Sequence, residues 1–331
     1  MQFEILNHEF VCSSLPTAMC HASTVLPVCE NLVLCAWFGG TAEGEKDVNI
    51  WVNRRENGTW GTPVCISAGS EAHWNPVLQQ VTDRVIRLYF KYGPVIAHWQ
   101  TYFCESADGG KTWDQPRELV PGDVSGGRGP VRNKILKTQS GKMLAPGSTE
   151  LCEWLAFVDV SEDDGTTWKR SASIPAVGLR VNAEKGETEE MYSRRGVIQP
   201  SLWEAPAGQI HMLLRSTEGF VCRSDSADDG EHWSDAVPTA LPNNNSGLDL
   251  AQLPDGTLAL VCNPVGENWG ARTPISLFLS KDGNHFEKIM DLDTGAGEFS
   301  YPAVVCRNRE LFITYTRKRE NIAYWHMKIS E

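Results

Sequence analysis

An eight-residue string, Ser-x-Asp-x-Gly-x-Thr-Trp, recurs along this chain and constrains its fold more than any other feature. It stands complete at Ser106–Trp113 and Ser161–Trp168, and with His for Thr at Ser226–Trp233. Worn copies end at Trp60, in Gly58-Thr59-Trp60, and at Phe286, in Ser280-Lys281-Asp282-Gly283-Asn284-His285-Phe286. The Ser and Asp side chains suit the capping of a tight turn, the Gly suits its left-handed position, and the aromatic can fold back on its own sheet. The closing aromatics, at 60, 113, 168, 233 and 286, are separated by 53, 55, 65 and 53 residues. A hairpin signal at a period near fifty marks a propeller, in which each repeat is one small antiparallel sheet.

Six strand-like runs accompany the hairpins: Leu32–Trp37, Val85–Phe90, Lys142–Ala145, Gln209–Leu214, Thr257–Cys262 and Glu310–Tyr315. The chain of 331 residues therefore holds about six units of one kind. The expected fold is all-β, a six-bladed β-propeller of four-stranded sheets forming one domain across residues 1–331. Phe3, Ile5, Phe10 and Cys12 give the N-terminus a strand pattern, and such a strand closes the ring by completing the last blade. The hairpins are expected on the outer rim, each Trp buried in its own blade. No segment sustains a 3.6-residue period, so helices should be few and short. The polar stretch Ala183–Glu190, within the longest interval, reads as a solvated loop.

A net charge of −12 and a pI near 5.2 argue against a nucleic-acid partner, although a small anion can still bind where arginines converge. The 10 Cys lie scattered in strand-like runs without a Cys-x-x-Cys pair, which reads as reduced thiols; neither a metal nor a cofactor is expected. Met1-Gln2-Phe3-Glu4 does not begin a signal peptide and no run has membrane-spanning length, so the expected location is cytoplasmic, or secreted if a leader has been trimmed, with no membrane partner.

A propeller gathers residues distant in sequence at one axial mouth. Arg215, Arg272 and Arg317 each lie at or just beyond the end of a strand-like run, in Leu214-Arg215-Ser216, Trp269-Gly270-Ala271-Arg272 and Tyr315-Thr316-Arg317, and arginines so placed suit a carboxylate. With the repeated Asp-containing hairpins, or Asp boxes, and with Arg215 ahead of one box and Arg272 ahead of the next, the whole chain resembles the sialidase (neuraminidase) superfamily of BNR-repeat propellers. In that family three arginines grip the substrate carboxylate, a Tyr paired with a Glu is the nucleophile, and an Asp on an early loop is the acid/base. The resemblance implies that Arg215 and Arg272 are the second and third arginines, and that Tyr301, in Glu298-Phe299-Ser300-Tyr301-Pro302, is the nucleophile. It places Asp47 at the acid/base, with Glu43 and Glu45 on the same loop as rivals.

Two positions depart from the family pattern. His21, in Cys20-His21-Ala22-Ser23-Thr24, stands where the first arginine belongs, and Gln199 stands where the Glu partner of the Tyr belongs, leaving Glu298 or Glu204 as substitutes. Lys134, within the basic run Arg128–Lys134, and Arg195 can extend toward a charged sugar, and Asn243–Asp249 offers amides for sugar hydroxyls. Trp37, Trp74, Trp99 and Trp269 lie outside the boxes and suit either sugar stacking or the core. Three functions are compatible with this pattern. One is an exo-acting glycosidase removing a terminal acidic sugar, sialic acid or a relative, from a glycan. The second is a uronate-directed lyase with His21 and Tyr301 as base and acid, and the third is a glycan-binding propeller without catalysis.

Overall fold

The computed structural model describes residues 2–178 and 193–330. Within them the chain forms six antiparallel sheets wound in sequence order around an axis, the expected six-bladed β-propeller. Blade 1 runs outward from Met19–Cys29 through Leu32–Gly40 and Asn49–Glu56 to the short Thr59–Trp60. Blades 2, 4 and 5 repeat the plan from His73–Gln80, Val197–Glu204 and Asp249–Gln252. Blade 3 differs, because its innermost strand is only Leu136–Lys137 and the stretch before it crosses the axis. In blade 6 the strands Phe299–Arg307, Glu310–Arg317 and Asn321–Ser330 are completed by the N-terminal Gln2–Phe10, paired from Gln2 opposite Ser330 to Phe10 opposite Ala323. The first strand thus closes the ring, as the alternation of its apolar residues predicts. One 3-10 turn, Ile96–His98, is the helical element among the described residues, and none of them forms a helix long and apolar enough to cross a membrane.

The strand-like runs are apolar at nearly every position because both faces of each sheet are covered by neighbouring blades. Side chains of successive residues point to opposite faces, so Leu34 and Ala36 pack toward blade 2, with Leu88 and Phe90, while Val33, Cys35 and Trp37 pack toward blade 6, with Phe312 and Tyr324. Blades 4 and 5 meet through Leu213 and Val221 against Leu250 and Leu260, and blades 5 and 6 through Ala259 and Leu277 against Val304 and Ile313. Each fully buried Leu or Val among them contributes about 1.5–3 kcal/mol, so the interfaces between blades are the core of the protein. The cysteines are all free, with Cys12, Cys20, Cys35, Cys104, Cys222 and Cys262 buried in this packing.

The Asp boxes lie at the outer turns. In the first complete copy Ser106 Oγ donates to Asp108 Oδ1 (2.8 Å) and accepts from the Gly110 amide (2.9 Å), while Asp108 Oδ1 accepts from the amides of Lys111 and Thr112. Asp163 repeats this pattern, and Asp228 Oδ1 accepts from the His232 amide as its only amide donor; the Thr167 hydroxyl and amide at Asp163, and the His232 amide and imidazole at Asp228, hold the two carboxyls down at about 2. The aromatics correct an expectation: Trp113, Trp168 and Trp233 are half-buried, and each wedges between its own blade and the preceding one. Gly110 and Gly230 show why. Both have positive φ (79° and 86°), and a Cβ on either would come within 2.9 Å of Leu34 or Leu144 in the blade before. The boxes therefore fasten blade to blade.

Candidate functional site

The innermost strands carry a second repeat. In blades 1, 2, 4 and 6 the strand nearest the axis has one extra residue against its neighbour, between His21 and Thr24, Trp74 and Val77, Ile198 and Ser201, and Ser300 and Ala303. Each bulge holds a residue at positive φ: Ala22 (53°), Asn75 (45°), Gln199 (55°) and Tyr301 (53°). Such geometry is rare for non-glycine residues and unfavourable for Asn75, Gln199 and Tyr301, because a proline follows each. Bulges of this kind re-aim a side chain and are stored where a site needs them. Asn75, Gln199 and Tyr301 line an axial pocket of about 180 Å³.

The pocket gathers His21 and Glu43 from blade 1, Trp74, Asn75, Ile96 and Trp99 from blade 2, and Glu150 from blade 3. Gln199 and Arg215 come from blade 4, Trp269 and Arg272 from blade 5, and Tyr301 and Arg319 from blade 6. Arg215 is its most constrained member. Its Nε donates to Asn245 Oδ1 (2.7 Å), and its Nη1 donates to the Tyr301 hydroxyl oxygen (2.7 Å) and to Gln199 Oε1 (3.4 Å). The guanidinium also lies 5.7 Å from the ring centres of both Trp154 and Trp269. Arg272 Nη1 donates to Glu298 Oε1 (2.7 Å), and Arg319 donates through Nε to Glu298 Oε2 (3.0 Å) and through Nη1 to Glu43 Oε2 (2.5 Å). Three guanidiniums from three blades thus face one small space, an arrangement able to hold a carboxylate.

Around them the titratable groups are pushed apart. Burial, reinforced by Arg319 and Arg272, drives the His21 imidazole well below its ordinary range and keeps it neutral. Its Nδ1 is 3.0 Å from Thr316 Oγ1, its Nε2 is 4.0 Å from Glu298 Oε1, and its ring centre is 4.3 Å from that of Tyr301. Burial would raise the Glu298 carboxyl, but Arg272, Ser300 and Arg319 outweigh it and hold it low. Glu150 goes the other way: desolvation pushes its carboxyl up, with Arg215 opposing in part.

Of the residues expected at the site, the structure brings together His21, Glu43, Gln199, Arg215, Arg272 and Tyr301, with Glu298 bonded to two arginines of the pocket. Asp47 does not line it; its carboxylate accepts from the amide and hydroxyl of Thr41 and caps the turn that presents Glu43. Lys134 donates to both oxygens of Asp249 (2.8 Å each) and to the Leu250 carbonyl, tying blade 3 to blade 5 beneath the pocket. Arg132 and Asn133 beside it donate to carbonyls of Tyr301, Pro302, Gln199 and Pro200, so this basic run is a plug that supports the two bulges. Arg128 is spent on Asp159 and Arg195 on Glu218. Arg317 pairs with Asp293, and its intended place belongs to Arg319, two residues on. Glu204 accepts from the amides of Gln139 and Gly208, away from the pocket. The amides of Asn244 and Asn245 hold the Gly270-Ala271 carbonyls and Arg215. Trp37 is core, whereas Trp74, Trp99 and Trp269 line the pocket, Trp269 with 62% of its surface exposed. Ala183–Glu190 falls outside the described residues.

Sequence reasoning missed Arg319, Glu150 and Asn75. A signal for the last existed: Asn75-Pro76, Gln199-Pro200 and Tyr301-Pro302 recur at equivalent places in three blades.

Asp boxes on a closed six-bladed ring, with an arginine-lined pocket at its axis, define a sialidase-like propeller. A family model described as a BNR repeat-like domain matches residues 31–313, and the chain belongs to that family. No curated protein matches it. Among solved structures it is similar to a protein of unknown function from Dyadobacter fermentans (17% identity, TM-score 0.77, 99% of both chains). It is also similar to the NanB sialidase of Streptococcus pneumoniae (13%, TM-score 0.71, 99% of this chain and 71% of that one). A third is the intramolecular trans-sialidase of Ruminococcus gnavus (12%, TM-score 0.69, 98% and 97%). At these identities the likeness is one of fold.

Proposed function

We propose that the axial pocket is the active site of an exo-acting glycosidase that removes a terminal acidic sugar from a glycan. One observation carries this reading: Arg215 donates to the hydroxyl oxygen of Tyr301 at 2.7 Å while Arg272 and Arg319 face the same pocket. An anomeric carbon that bears a carboxylate repels an anionic nucleophile, whereas a phenol approaches uncharged. As its proton leaves, the charge developing on the Tyr301 oxygen is met by the Arg215 guanidinium. Arg272 and Arg319 hold the substrate carboxylate, and Glu298, which bridges them, keeps both side chains in place. Arg319 does from blade 6 what the missing arginine at position 21 would do from blade 1.

A second reading follows from His21, which burial keeps neutral against the ring of Tyr301. A neutral imidazole beside a phenol is the equipment of a β-eliminating lyase acting on a uronate. Assay of the purified protein on sialosides and on uronate oligosaccharides separates the readings. Release of the free acidic sugar without ultraviolet absorbance supports the glycosidase; an unsaturated absorbing product from the uronate supports the lyase. Binding of acidic glycans without turnover of either overturns both.

A further inference from the structure

This inference rests on the glycosidase reading and concerns the group that donates a proton to the leaving oxygen. A proton donor must hold its proton before the reaction and be free to give it up, and most carboxyls near the mouth are already engaged by other side chains. Glu43 is clamped by Arg319, and Glu298 by Arg272 and Arg319. Asp47 is held by Thr41 outside the pocket, and position 199 is an amide.

Glu150 is different. It ends the strand Met143–Glu150 of blade 3 and lines the pocket with Tyr301 and Arg215, and its carboxyl makes no hydrogen bond to any described residue. Blades 3 and 6 stand three places apart in a ring of six, so Glu150 approaches from the side of the axis opposite the blade of Tyr301. A carboxyl that shares the pocket with Tyr301 and Arg215 and has no side-chain hydrogen-bond partner among the described residues is a candidate for chemistry. Burial pushes it up, toward the protonated form. The charged groups around the pocket are Arg215 of blade 4, Arg272 of blade 5, Arg319 and Glu298 of blade 6, and Glu43 with neutral His21 of blade 1. Blade 2 contributes Trp74, Asn75, Ile96 and Trp99, none of which titrates.

We propose that Glu150 of blade 3 is the catalytic proton donor of this pocket, in place of the early-loop carboxylates of blade 1. In the first step the Tyr301 oxygen bonds to the anomeric carbon as the bond to the leaving oxygen breaks. The Glu150 proton passes to that oxygen, and the phenol proton passes through pocket water to the Glu298 carboxylate. In the second step water attacks the anomeric carbon as its bond to the Tyr301 oxygen breaks, and the water gives its proton to Glu150. The Glu298 proton returns to the released phenolate.

The test compares wild type, Glu150→Gln and Glu43→Gln on two substrates with one acidic sugar. One carries a 4-nitrophenyl leaving group, which departs without a proton, and the other a sugar leaving group, which needs one. Glu150→Gln is expected to lose about 10²–10⁴-fold in kcat/KM on the sugar-linked substrate but no more than about tenfold on the nitrophenyl one, with partial rescue by formate. The basic limb of the wild-type pH profile should vanish in the variant. Equal losses on both substrates, or the leaving-group signature in Glu43→Gln instead, overturn the assignment while the glycosidase reading stands. A wild type that cleaves neither substrate overturns the glycosidase reading and this role with it. If Glu150→Gln melts at a much lower temperature than wild type, Glu150→Asp takes its place, with the same leaving-group contrast expected and the same equal losses overturning it.

Discussion

The rim and the mouth of this propeller are both built from repeated turns, yet they use repetition in opposite ways. At the rim the same side chains recur: Ser106, Ser161 and Ser226 cap the same turn with Asp108, Asp163 and Asp228, each Ser Oγ accepting from the box Gly amide and each Asp Oδ1 from the amide four residues on. At the mouth only the backbone recurs. Four blades make the same one-residue bulge, but the residue inside it is Ala22, Asn75, Gln199 or Tyr301. Repeating side chains secures one blade to the next; repeating a strained backbone offers equivalent positions to be filled differently, and the pocket is assembled from them. Stability should therefore depend mainly on the rim and the blade interfaces, and activity on the mouth.

The sharpest separation comes from Tyr301→Phe, which keeps the ring but removes the hydroxyl that Arg215 contacts. Turnover is expected to fall by about 10⁴-fold or more, with ligand affinity and the denaturant midpoint close to wild type. Single-turnover kinetics and urea unfolding check this; a large loss of stability with turnover preserved in the folded fraction would break the comparison. At the rim, Trp113→Ala should cost about 2–3 kcal/mol, less than for a fully buried Trp because Trp113 is half-buried. The activity per folded molecule should not change. If that activity disappears from a stable variant, rim and mouth are not independent.

Arg319→Ala and Arg317→Ala sharpen the division within one turn. Arg319 lines the pocket and Arg317 pairs with Asp293 outside it. The first should lower kcat/KM about 10–100-fold, about 1.4–2.8 kcal/mol, and the second should leave it nearly unchanged. Equal effects would remove Arg319 from the carboxylate grip.

The smallest effects are windows of pH. His21 is held neutral when folded, so below about 6.5 the unfolded chain takes up a proton that the native state does not, and stability declines from there as pH falls. His73, also lowered by burial, adds to the same window. The carboxyls of Asp163 and Asp228 sit at about 2 in the folded state, so their contribution is complete above about 4 and is lost as pH falls toward 2. His21→Gln should flatten only the upper window and Asp228→Asn only the lower. Unfolding midpoints measured across this range decide it, and a variant that alters the opposite window contradicts the separation.

The blade period, the number of blades, the closing N-terminal strand and the place of the boxes were legible in the sequence, because each rests on local chemistry repeated along the chain. A capped turn needs its Ser, Asp and Gly within a few residues, and a strand covered on both faces needs an unbroken apolar run. The convergence of Arg215, Arg272 and Tyr301 was legible through resemblance. What the sequence alone could not decide was which member of a pair turns inward. Arg317 and Arg319 are two residues apart, as are Glu43 and Glu45, and Asp47 is two residues further; only the path of the turns sends Arg319 and Glu43 to the axis and Asp47 to Thr41. The basic run around Lys134 has the charge to meet a ligand, but Asp249, Asp159 and four backbone carbonyls from distant blades take it up. Local repeats declare themselves in sequence because their partners are a few residues away. A pocket formed by six blades is decided by contacts across tens to hundreds of residues, which only the closed ring brings together.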